Sequence, residues 1–92
     1  MNSLSFRYAT EEDTALILYF IKELAAYENL LDEVNTSEEM LNEWIFKKKR
    51  AEVLFALEND REIGFALFFH NFSTFLGRAG IYLEDLYITP IS

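Results

Sequence analysis

A chain of 92 residues, 51% apolar and 16% aromatic, has the composition of a single globular domain. It has no cysteine and one histidine, which excludes a disulfide framework, a thiolate zinc site and a cysteine nucleophile and speaks against any transition-metal site. The net charge of −8 predicts no affinity for nucleic acid or anionic membrane, and without a signal-peptide pattern or an apolar run of ~20 residues the expected location is the cytoplasm.

The first predicted element is a short strand, Ser5 to Tyr8. Thr10-Glu-Glu-Asp13 follows, a Thr with an acid three residues later, which opens a helix. That helix runs to about Glu28, and Ile17, Phe20, Ile21 and Leu24 recur on its apolar stripe. Asn29 to Asn35 is a short acidic connection. Thr36-Ser-Glu-Glu39 repeats the capping pattern and opens a second helix, with Met40, Leu41, Trp44 and Ile45 on one face as core. Lys47-Lys-Lys-Arg50 closes it. A basic run at a helix end is first a solvated face complementing the negative end of the helix dipole, and second a phosphate-binding group.

The period then changes to two. Val53, Phe55 and Leu57 alternate with Leu54 and Ala56, and Asn59-Asp60-Arg61-Glu62 is a turn. Ile63 to Phe72 is apolar on both faces up to His70, the pattern of a strand covered above and below. Ser73 to Gly80 reads as a loop, and Ile81 to Thr89 as the last strand before Pro90. The order β-α-α-β-β-β with short final links predicts an α+β fold, a mostly antiparallel sheet with two helices on one face. His70 is expected to be an ordinary hydrogen-bonded residue, and Phe68-Phe69 to be core or interface.

Tyr82-Leu-Glu-Asp-Leu-Tyr-Ile-Thr-Pro90 resembles the central strand of the Gcn5-related N-acetyltransferase family. Phe6-Arg7-x-Ala9-Thr10-x-x-Asp13 resembles the family's first strand and turn, and Ile21-Lys-Glu-Leu-Ala-x-Tyr-Glu28 the first helix of its diamine branch, the spermidine/spermine and thialysine acetyltransferases. Ile63-Gly-Phe-Ala66 and the stretch from Phe68 to Gly77 extend the likeness over nearly the whole chain. The resemblance implies the N-terminal half of that fold over residues 1–92, as one truncated domain. It implies transfer of acetyl from acetyl-CoA to a primary amine of a polyamine or lysine-like substrate. Tyr27, Glu28 and Glu84 match amine-contacting positions, and carboxylates suit ammonium groups spaced along a chain. Leu86, Tyr87 and Ile88 match the strand whose backbone pairs with the pantetheine arm. Glu28 and Glu84 are expected to share an acidic patch, with Asp85 structural.

The family's Arg/Gln-x-x-Gly-x-Gly/Ala phosphate loop and its thiolate-protonating tyrosine have no counterpart in these residues. No catalytic residue is assigned, acetyl-CoA is not expected to bind tightly, and this chain alone is expected to be inactive. A sheet with one apolar face left uncovered predicts a homodimer or higher homo-oligomer. The alternative reading is a non-catalytic oligomeric interaction module left by gene truncation.

Overall fold

The computed structural model describes residues 3–90. The chain enters through strand β1, Leu4–Tyr8, and turns at a short 3-10 segment, Glu11–Asp13, into helix α1, Thr14–Tyr27. A second 3-10 turn, Leu31–Glu33, leads to α2, Glu38–Leu41, which continues as a π-helix, Asn42–Lys47. Strands β2, Glu52–Glu58, β3, Arg61–Ser73, and β4, Arg78–Ile88, follow. The four strands form one sheet in the order β1-β2-β3-β4, every pairing antiparallel. This is the α+β arrangement expected from the sequence.

Arg7 explains how the chain turns from β1 into α1. Its guanidinium grips the Asp13 carboxylate through two bonds of 2.9 and 3.0 Å. The same carboxylate accepts from the backbone N–H and the hydroxyl of Thr10 at 2.8 and 3.2 Å. Arg7 also lies 4.9 Å from the centre of the Phe55 ring. These bonds hold the Asp13 carboxyl down to about 2, the Arg7 side-chain bond being the largest cause. At α2 the cap is Ser37 rather than Thr36: its hydroxyl accepts the Met40 N–H at 3.2 Å.

The core lies between the helices and one face of the sheet. Ile17 and Phe20 of α1 and Leu41 and Ile45 of the second helix meet Val53, Phe55, Leu57, Phe65 and Tyr87. The Phe20 ring stacks on Phe65 at 5.7 Å and tilts against Phe55 and Tyr87 at 6.0 and 6.4 Å.

Three expectations are corrected. Trp44 and Met40 are not core: each is 49% exposed, while their neighbours Leu41 and Ile45 are buried. Strand β3 is covered on one face only. On the other face two rows run across the sheet in register, Phe6-Ala56-Gly64-Ile88 and Tyr8-Leu54-Ala66-Leu86, and Phe6, Tyr8, Leu86 and Ile88 are exposed. The strand resembling a central one, β4, is here the sheet edge, and it begins earlier than expected, at Arg78.

Turns follow from left-handed residues. Asn59 and Asp60, φ 53 and 67, make a two-residue hairpin link, and Gly77, φ 66, closes the β3–β4 turn. Two bulges interrupt the ladder. Ala56 pairs with Gly64 and Leu57 with Glu62, leaving Ile63 as an extra residue of β3. Leu67 pairs with Asp85 and Phe68 with Leu83, leaving Glu84 as an extra residue of β4.

Candidate functional site

Helix α1 carries Tyr19, Glu23 and Tyr27 at four-residue spacing, so they line one ridge. The Tyr19 hydroxyl donates to Glu23 Oε1 at 3.3 Å. Beneath this ridge lies Tyr87, whose side chain faces the helices and is buried. Burial raises the Tyr87 hydroxyl pKa, and Glu23, Tyr19 and Tyr27 add to the rise, which puts all four groups in one neighbourhood.

Asp85 stands two residues before Tyr87, on the same face of β4. It is half-buried, and its partner across the ladder is Leu67. Burial is the main cause that raises its carboxyl pKa, with the Glu84 and Glu28 carboxylates adding. Glu28 caps the C-terminus of α1 and Glu84 is the exposed bulge residue of β4. The fold therefore brings the acids of a helix end and a strand bulge to bear on one half-buried carboxyl.

Of the six site residues expected from the sequence, Tyr27 lies close enough to Tyr87, and Glu28 and Glu84 to Asp85, to act on their titration, and Tyr27 is 74% exposed. Leu86 and Ile88 turn their side chains to the open sheet face, and Tyr87 turns its own to the cleft. The outer backbone edge of β4 has no strand beside it. Sequence reasoning missed Tyr19, Glu23 and the inward aim of Asp85. The Tyr19-Glu23-Tyr27 spacing was the available signal. It was hidden because the apolar stripe of α1 accounted for the helix by itself.

A neighbourhood of three tyrosines and four carboxylates suits a cation, because the carboxylates attract it and the rings offer their negative faces. Among the described residues no group of three or more His, Cys, Asp or Glu side chains is placed to hold a metal ion. None of the described helices is long and apolar enough to cross a membrane.

No family model matches the chain. Individual proteins do. It is 39% identical over 99 aligned positions to thialysine N-epsilon-acetyltransferase of Sus scrofa, covering 98% of this chain and 58% of that protein. It is 33% identical over 97 positions to spermidine/spermine N(1)-acetyltransferase-like protein 1 of Homo sapiens, covering 97% of this chain and 14% of that one. The chain thus spans little more than half the length of the thialysine enzyme it matches.

Solved structures share the fold. A probable acetyltransferase superposes with a TM-score of 0.78 at 23% identity, over 96% of this chain and 59% of that one. A predicted acetyltransferase of Clostridium acetobutylicum solved with acetyl-CoA gives 0.72 at 19%, over 96% and 61%. A metagenomic aminoglycoside acetyltransferase in complex with sisomicin gives 0.73 at 16%, over 94% and 56%.

Proposed function

The chain belongs to the Gcn5-related N-acetyltransferase family, and from that premise we propose that it forms the amine-binding side of an acetyl-CoA-dependent N-acetyltransferase. The acceptor is a primary amine on a polyamine or lysine-like molecule. The observation that carries this reading is the convergence of Glu28 and Glu84 on the half-buried Asp85, under the tyrosine ridge of α1.

Tyr27, Glu28 and Glu84 hold the cationic acceptor, each carboxylate pairing with an ammonium group. An ammonium nitrogen is nucleophilic only after it loses a proton. Asp85 holds a proton more tightly than an ordinary aspartate, which suits it to receive that proton inside the cleft. The open edge of β4 supports the cofactor reading: the unpaired backbone around Leu86, Tyr87 and Ile88 can pair with an amide-bearing arm. Acetyl-CoA, when bound, supplies the activated acetyl group. The Arg/Gln-x-x-Gly-x-Gly/Ala phosphate grip does not occur within these residues, so for the 92 residues by themselves the reading is amine capture without turnover.

Calorimetric titration with spermidine, thialysine and a monoamine tests the reading. The diamines should bind, the monoamine more weakly, and Glu28→Gln or Glu84→Gln should weaken a diamine by about tenfold, the order of one charge-assisted hydrogen bond. Asp85→Asn should melt higher than wild type near neutral pH. A raised acid pKa means that the folded state is penalised while the group is charged, above that pKa. Diamine affinity equal to that of the monoamine, or unaltered in both Gln variants, would defeat the proposal.

A second reading, self-association as an interaction module, is favoured by the apolar rows Phe6-Ala56-Gly64-Ile88 and Tyr8-Leu54-Ala66-Leu86, whose outer residues Phe6, Tyr8, Leu86 and Ile88 are exposed.

A further inference from the structure

The basic run after the second helix takes no part in the amine cleft. Lys49 and Arg50 instead line a cavity of about 680 Å3 that shares no residue with that cleft. Tyr8, Trp44 and Phe69 give it aromatic walls. Its size falls within the range of small-molecule sites.

Three features of this cavity bear on a ligand. The first is Trp44, the chain's single tryptophan, which leaves 49% of its surface exposed beside the cavity. The Lys48 ammonium sits 4.1 Å from its ring centre and pairs with Glu43 at 3.7 Å, so Lys48 is already engaged.

The second is the backbone of Lys49. The π-helix ends with the Arg50 N–H bonded to the Trp44 carbonyl and the Lys48 N–H to the Glu43 carbonyl, both at 2.9 Å. Lys49, at φ 53, occupies the left-handed position of this turn. Glycine is the residue that such a helix end favours. Among the described residues the other left-handed positions are Asn29, Asn59, Asp60 and Gly77, all types that tolerate it, and only Lys49 is not. The turn itself gains nothing from a lysine side chain there. Strain of this kind gathers where a side chain serves a ligand.

The third is charge. In a molecule of net charge −8, neither Lys49 nor Arg50 makes an ion pair among the described residues. Glu52, the only acid on the cavity wall, is taken by His70, whose Nε2 lies 3.1 Å from Glu52 Oε2. Two unengaged cations therefore face an aromatic-walled space.

We propose that this cavity binds a planar aromatic anion of mononucleotide size. Its ring lies against the aromatic walls, and its phosphate meets Lys49 and the forked guanidinium of Arg50. The site is separate from the acetyltransferase reading and stands whether or not that reading holds.

Trp44 makes the test direct, since all tryptophan fluorescence comes from the cavity wall. The probes are AMP, adenosine and inorganic phosphate, followed by fluorescence and calorimetry. AMP should give saturable changes in both, with adenosine and phosphate at least tenfold weaker. Raising the salt concentration should weaken AMP binding. Lys49→Gly should lose at least tenfold in AMP affinity while melting no lower than wild type, because glycine suits the turn. Arg50→Gln should lose a similar factor. Absence of saturable binding, adenosine binding as well as AMP, or wild-type affinity in both variants would each overturn the proposal.

Discussion

At the scale of single residues, Arg7 and Asp13 carry the clearest electrostatic signature. Asp13 falls from 3.8 to about 2, mainly through its bond with Arg7. A lowered acid pKa contributes stability that is present above the unfolded value and lost as pH falls through the folded one. Asp13→Asn should cost about 1–2 kcal/mol at neutral pH, allowing for the partial exposure of Arg7. The gap between variant and wild type should close between pH 3.8 and about 2 in denaturant titrations. A gap that persists below that range would mean that packing, not charge, holds the turn. The capping signal at Thr10 and Asp13 was legible because it is local. The Arg7 bond was not, since it depends on the angle at which β1 delivers the chain. Glu28 and Glu84 were reached through resemblance, whereas Asp85 needed the structure. Adjacent acids on a strand differ only in which face they take, and the bulge decides that.

At the scale of elements, the change from helical to alternating periodicity located the helices and strands. Both Leu41-Ile45 and Met40-Trp44 have four-residue spacing, so the pattern offered two apolar ridges where the sheet covers one. The wider turn of the π-helix adds to the divergence, and nothing in the residue types announces a π-helix. The start of β4 was missed because Gly77 and Gly80 read as a loop, yet only Gly77 is left-handed and Gly80 lies in the strand. Gly64 shows what a glycine within a strand can be for. A Cβ there would collide with the Tyr87 carbonyl oxygen and come within 2.5 Å of Ile88 Cδ1 and 2.9 Å of Ile88 Cα. Gly64→Ala should therefore cost about 1–3 kcal/mol by forcing β3 and β4 apart. Thermal melting reads this directly, and a variant as stable as wild type would show that β4 can shift without loss.

At the scale of the whole molecule, a sheet covered on one side leaves apolar rows in contact with water. A patch of several hundred Å2 at roughly 25 cal/mol per Å2 favours association before the entropy of binding is subtracted. Sedimentation of the 92-residue chain at micromolar concentration should show a dimer or larger species, and Phe6→Ser with Leu86→Ser should return it to monomer. A wild-type monomer of 10.8 kDa with no concentration dependence would defeat this expectation. The extra residue Glu84 has a wider consequence. Side chains along a strand alternate like the two colours of a chequered ribbon, and one unpaired residue swaps the colours from there on. Were Glu84 paired like its neighbours, Tyr82 would share a side with Leu86 and Ile88. With it unpaired, Tyr82 stacks on Phe69 at 5.0 Å, on the same side as Asp85 and Tyr87. Drawing Glu84 into the ladder as a paired residue would put the strand back in a single phase. Either the Phe69–Tyr82 stack beside the nucleotide-sized cavity or the Asp85–Tyr87 wall of the amine cleft would then turn outward. One inserted residue lets a single strand carry the amine-binding side and, through Tyr82, back the Phe69 wall of the cavity.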